Sequence, residues 1–173
     1  MKRIPNSFFE EKTLKVAREL VGKYLVRQIG KTIIREQITE VEAYVGPHDL
    51  ACHSSRGKTT RNEVMFREAG TIYVYFTYGM HWMLNIVTEG KDFPAAVLVR
   101  GTKNISGPAR LTKALKIDKN LNGRKLGKKS DLWVESDLKI ENRKLKISRL
   151  PRIGVAYAKG GWAEKPYRFI LQD

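Results

Sequence analysis

Apolar and polar positions change their period several times along the chain, and each change marks an element. Leu14, Ala17, Leu20 and Val21 recur at helical spacing. Ser7, with Glu10 three residues later, reads as a capping box ahead of them, and Gly22 closes the helix. Residues 24–29 and 32–44 alternate, with Gly30-Lys31 between them, which predicts a hairpin. In its longer strand Ile38, Glu40, Glu42 and Tyr44 share one face, and Thr39, Val41 and Ala43 take the other. Residues 45–70 form a long connection of the kind that is usually functional or disordered. A second hairpin follows over 71–87, with Ile72, Val74 and Phe76 on one face and Tyr73, Tyr75 and Thr77 on the other. Its turn, Tyr78-Gly79-Met80, carries two apolar side chains where turns are normally polar.

Residues 95–100 read as a short buried strand ending at Arg100. Ser106-Gly107-Pro108 opens a helix with a stripe of Leu111, Ala114, Leu115 and Ile117. Residues 118–130 read as a basic loop, and short strands are predicted at 132–134, 138–140, 145–148, 153–158 and 167–171. No stretch looks like a linker and no internal repeat occurs, so one domain over residues 1–173 is expected.

Charge narrows the function. Thirty-three Lys and Arg against eighteen Asp and Glu give a net charge of +15, which points to a polyanion, nucleic acid first. No apolar run is long enough for a membrane helix, and the N-terminus lacks the apolar core of a signal peptide. A lone Cys52 excludes an internal disulfide. The expectation is an intracellular protein, in the cytoplasm, nucleoid or nucleus, with no membrane partner.

Against that basic background Glu40 and Glu42 are conspicuous, two carboxylates beside Tyr44 on one strand face. Like charges at this spacing raise a pKa, which suits a group that must take up a proton. Two readings stand at this point: structural pairing with Arg or Lys, or chemistry. Gly57-Lys58-Thr59 resembles the end of a phosphate-binding loop, but Cys52 stands where that loop needs glycine. His48, Cys52 and His53 lack a second spaced ligand pair, so no metal is expected. The apolar hairpin tip either folds onto its own core or is the kind of wedge that unstacks DNA from the minor groove.

Several motifs in order resemble the alkyladenine (3-methyladenine, methylpurine) DNA glycosylase family. They are Glu40 to Pro47, His53-Ser54, Thr60-Arg61-Asn62, Met65-Phe66, Gly70 to Met80, Asn85, Arg100, Ser106-Gly107-Pro108, Arg152 to Val155 and Trp162 to Pro166. The likeness covers nearly the whole chain. It implies an α+β fold in a single domain: a curved, mainly antiparallel sheet, flanking helices and a protruding β-hairpin. It also implies a monofunctional enzyme of base excision repair that flips damaged purines out of duplex DNA. By resemblance Glu42 is the general base and Arg100 helps hold the attacking water. Tyr44, His53 and Tyr75 sandwich the flipped base, and Asn85 crowds the guanine amino group. Tyr78, with Met80 beside it, enters the duplex. The resemblance implies no cofactor and no metal, double-stranded DNA carrying a damaged purine as partner, and a monomer. The competing classes are a non-catalytic nucleic-acid-binding module and a carbohydrate glycosidase, and the second sits poorly with the charge.

Overall fold

The computed structural model describes residues 1–137 and 145–172. In chain order its strands are β1 (Lys2–Arg3), β2 (Tyr24–Ile29), β3 (Thr32–Tyr44), β4 (Ile72–Thr77), β5 (His81–Thr88), β6 (Ala95–Thr102), β7 (Leu132–Ser136), β8 (Ile147–Leu150) and β9 (Arg168–Leu171). The α-helices are α1 (Thr13–Leu20) and α2 (Pro108–Ala114), joined by short 3₁₀ turns. Among the described residues the strands run in the order β1-β7-β2-β3-β6-β5-β4, with β9 also pairing β3 and β8 beyond it. Every pairing is antiparallel, and the sheet curls into a half-barrel with two helices. This is the α+β architecture that the sequence predicts.

β3 is the spine. Its first half pairs β2, Tyr24 to Ile29 against Gln37 to Thr32, as the alternation and the Gly30-Lys31 turn predict. Its second half lies between β6 and β9. The register slips between Ile38 and Val41. That bulge corrects the predicted faces: Ile38 joins Val41 and Ala43 in the core, leaving Glu40, Glu42 and Tyr44 opposite. An extra residue inverts the period-two alternation, and nothing in a smooth apolar pattern announces it.

Downstream the alternation sorts the two sheet faces. Ile72, Val74, Leu84, Ile86, Val97 and Val99 pack with Val16, Ala17 and Leu20 of α1 in the main core. Each such fully buried aliphatic side chain contributes about 1.5–3 kcal/mol. Tyr73 and Ala96, on the opposite face, pack with Cys52, Val64, Met65 and Val87, and the rings of Tyr44 and Tyr75 lean on that cluster. The candidate site residues come from this second face.

Several sequence expectations are corrected. Ser7 caps nothing: Asn6–Glu10 is a 3₁₀ turn without a side-chain cap. α1 begins later, at Thr13, whose N–H and hydroxyl both donate to Glu89 (3.1 and 2.7 Å) from the end of β5. A cap supplied across the fold leaves no local signature. α2 ends at Ala114, which is exposed, so Leu111 holds the stripe while Leu115 and Ile117 pack from the turn beyond. Residues 118–130 are tied to the edge of β4: Ile72 N–H bonds the Arg124 carbonyl, and Leu121 and Leu126 are buried. Residues 153–158 form turns rather than a strand. The expected strand at 138–140 lies outside the described residues, and the one placed at 145–148 is Ile147–Leu150.

The β4–β5 hairpin turns at Tyr78 and Gly79, with φ of 53° and 66°. Met80 N–H bonds the Thr77 carbonyl (3.2 Å) across the turn. Positive φ at both central residues matches the twist of a tight hairpin, but places a tyrosine in a region that favours glycine. Tyr78 and Met80 are 81% and 66% exposed.

Candidate active site

A cavity of about 320 Å³ opens on the second sheet face. Tyr73 and Tyr75 of β4, Asn85 of β5, and Leu98 and Arg100 of β6 form one wall. Tyr44, His53, Ile153, Tyr157 and Tyr78 complete the lining, His53 packed against the Tyr73 and Tyr75 side. Its size lies at the lower end of small-molecule pockets, roughly 300–1,000 Å³. The structure therefore gathers Tyr44, His53, Tyr75, Tyr78, Asn85 and Arg100 around one space. Met80 is not part of the wall; it lies beyond Tyr78 on the outside of the turn.

Glu42 is fully buried behind this wall. Three wall residues hold its carboxylate: Tyr44 O–H donates to Oε2 (2.9 Å), Ile153 N–H donates to Oε1 (2.7 Å), and Arg100 Nη1 lies 3.4 Å from Oε1. Burial pushes the Glu42 carboxyl above its ordinary range, although Arg100, the Ile153 amide and the Tyr44 hydroxyl all pull the other way. The group is thus more basic than a surface glutamate yet is held by donors that favour its charge. Glu40 resolves as structural. It accepts from Arg100 Nε (3.1 Å) and Arg168 Nη1 (3.0 Å), so Arg100 bridges the two carboxylates.

The aromatic walls are uncharged. Burial and Arg61 lower the His53 imidazole to about 4, so it is neutral near pH 7. Its Nδ1 lies 3.1 Å from the Tyr73 hydroxyl, and its ring packs edge-on against Tyr75 at 4.6 Å. Burial raises the Tyr75 phenol to about 12 and Tyr44 well above its usual range, so both stay protonated. Asn85 is fixed by its amide donating to the Tyr73 carbonyl (3.3 Å).

The connection over residues 45–70 is ordered by its own polar groups. Asp49 accepts from Val45 N–H (3.1 Å) and Ala51 N–H (3.0 Å). Buried Asn62 donates to the carbonyls of His53 (3.0 Å) and Gly57 (2.8 Å). Gly46 has φ of 109°, and a Cβ there would meet the Phe93 ring at 2.7 Å. These contacts aim His53 at the cavity from a segment with little regular structure.

Sequence reasoning missed three contributors: the Ile153 amide, the Tyr157 ring and the Asp49–Arg152 pair. Arg152 and Ile153 lie in a stretch that resembles the family, but nothing local reveals their roles, because a backbone donor and partners a hundred residues apart leave no spacing to read. Among the described residues no group of three His, Cys, Asp or Glu gathers as a metal would need. No described helix is long and apolar enough to cross a membrane.

The model of the methylpurine-DNA glycosylase family matches residues 7–106 and 102–173. A protein of Legionella pneumophila strain Corby is 45% identical over 180 residues, covering 100% of this chain and 96% of its own length. One from Myxococcus xanthus is 42% identical, covering 100% and 92%. One from Methanocella arvoryzae is 41% identical, covering 96% and 90%. All three are provisionally named 3-methyladenine DNA glycosylases.

Proposed function

The chain belongs to the methylpurine-DNA glycosylase family, enzymes that hydrolyse N-glycosyl bonds in DNA, and from that membership we propose how it works. A damaged purine, such as 3-methyladenine, 7-methylguanine, hypoxanthine or ethenoadenine, leaves the stack and enters the aromatic cavity. Flipping is needed because the glycosidic bond is out of reach inside the duplex. Tyr78 fills the vacated space from the exposed hairpin tip.

Tyr44, His53 and Tyr75 enclose the flipped base. Neutral, electron-rich rings attract an alkylated, positively charged purine more than a normal one. Asn85, held on the Tyr73 carbonyl, crowds the 2-amino group and so selects against normal guanine, a penalty that the cation–π attraction of 7-methylguanine offsets. Arg100 helps position a water beside Glu42. The carboxylate takes a proton from that water, its oxygen bonds to the sugar C1′, and the C1′–N bond breaks with its electron pair leaving on the base. The charge of Glu42 steadies the positive character that develops on the sugar. Water is the nucleophile, so the strand stays intact. The basic residues of the surface meet the phosphates.

The observation that carries this reading is the fully buried Glu42 carboxylate, held by two hydrogen-bond donors and the Arg100 cation behind an aromatic cavity. A pure binding module has no use for a desolvated carboxylate there. The test is release of hypoxanthine or ethenoadenine from a duplex carrying one such lesion, by wild type and Glu42→Gln. Glu42→Gln should bind the duplex but release base about 10²–10⁴-fold more slowly, the usual worth of a general base. A Glu42→Gln variant that releases base at the wild-type rate defeats the reading.

A further inference from the structure

Asp49 and Arg152 form a fully buried ion pair at the edge of the site. Arg152 Nη1 lies 2.5 Å from Asp49 Oδ2, and Nη2 lies 2.9 Å from Oδ1. The same guanidinium donates to the carbonyls of Ala43 (2.9 Å) and Trp162 (3.2 Å). Its faces lie against the rings of Tyr44 (4.8 Å) and Tyr167 (5.4 Å). One side chain thus joins the end of β3, the loop leading to His53 and the tail. The residue after Arg152 is Ile153, whose N–H holds Glu42.

We propose that Asp49 and Arg152 are a positioning pair that sets the Ile153 amide on the Glu42 carboxylate, rather than a pair retained for stability alone. The proposal rests on Glu42 as the catalytic base. A buried ion pair is a poor stabiliser, since desolvation cancels much of its attraction and apolar replacements are often neutral. What it offers instead is fixed geometry: a bidentate fork leaves the guanidinium one orientation. Residues 151–158 have no strand or helix to place them, so Arg152 is their anchor.

The charged and titratable groups facing Glu42 are Arg100 of β6, Glu40 and Tyr44 of β3, Tyr75 of β4, and Arg152 of the tail. Arg168 of β9 pairs with Glu40 instead. Arg152→Lys keeps the charge count of this set but loses the fork, so a change in Glu42 behaviour reports the amide rather than the field.

The experiment is single-turnover base release against pH, on lesion duplex, for wild type, Arg152→Lys, Ile153→Pro and the double variant. Proline has no N–H and removes the donor itself. Arg152→Lys and Ile153→Pro should each slow release roughly 10- to 100-fold, the worth of one hydrogen bond to a charged group. Each should also raise the acid limb by about one pH unit, because the ionised carboxylate loses a donor. The double variant should be no slower than Ile153→Pro, because both act through one amide. A lower Tm with an unmoved acid limb and rate in Arg152→Lys overturns the proposal, as do multiplying losses in the double variant. If Arg152→Lys does not fold, Ile153→Pro decides alone, at a residue 51% exposed. Glu42→Gln runs alongside. An active Glu42→Gln sinks the assignment of the base, whereas an inactive one with unmoved limbs in the other variants sinks only the positioning pair.

Discussion

Tyr44 and Tyr78 belong to the same cavity and are held in opposite ways. Tyr44 ends a strand, donates its hydroxyl to Glu42 and rests on the Arg152 guanidinium. Tyr78 sits at a hairpin turn, 81% exposed, with φ of 53°. Tyr44 is tied by its hydroxyl and its ring to buried partners, whereas the end of the hairpin is held by its backbone, by Arg61 on the Phe76 carbonyl (3.1 Å) and by Phe76 against Trp82. The difference suits the tasks proposed for the two residues. Proton transfer to a carboxylate tolerates little displacement, whereas a side chain that enters another molecule must be presented to solvent. Each region gives up stability for its task, the floor by desolvating charge and the tip by backbone strain.

Breaking the floor should have the largest effect on stability. Asp49→Ala leaves the Arg152 guanidinium buried without its carboxylate, which costs about 3–5 kcal/mol. Chemical denaturation should show that loss; a change under about 1 kcal/mol would mean the site relaxes and admits water. The walls give a pH signature. His53 is held near 4 against an ordinary 6.5, so the unfolded chain takes up a proton that the folded one refuses. Its contribution is complete above pH 6.5 and fades as pH falls toward 4, a loss of up to about 3 kcal/mol. His53→Phe should flatten that slope.

Two smaller changes should stabilise. Glu42 has a raised folded pKa, so its ionisation opposes folding above that pKa and costs nothing below the ordinary carboxylate value. Glu42→Gln should therefore raise Tm at neutral pH, with the gain vanishing in acid. At the tip, Tyr78→Asn places a residue that tolerates positive φ, and should add roughly 0.5–1 kcal/mol while slowing excision from duplex. Calorimetry across pH distinguishes the two, since only the first gain depends on pH.

Much of this was legible in the chain, and the rest fails for physical reasons. Alternation gave the β2–β3 hairpin to the residue, because a half-buried strand must alternate. It missed the slip at Ile38, since an inserted residue changes the phase without changing composition. The apolar tip at Tyr78 stood out because turns are normally polar, whereas Met80, read alongside it, stays off the cavity wall. Ser7 and Glu10 had the spacing of a cap, but Glu89 caps α1 across the fold. Residues 153–158 looked like a strand, yet Gly154 adopts φ of 76° and the segment folds by its contacts instead. Glu42 could be singled out by its neighbours in sequence; Arg152 stood only within a stretch that resembles the family, and its role could not be read because its partners lie 103 and 109 residues away.

The division between floor and tip is tested most directly by single-turnover base release from one lesion, placed in duplex and in single-stranded DNA, by Glu42→Gln and Tyr78→Ala. The account predicts that Glu42→Gln loses release from both substrates, and that Tyr78→Ala loses it from duplex while nearly keeping it on the single strand. Equal loss by Tyr78→Ala on both substrates, or release by Glu42→Gln from either at the wild-type rate, would contradict it.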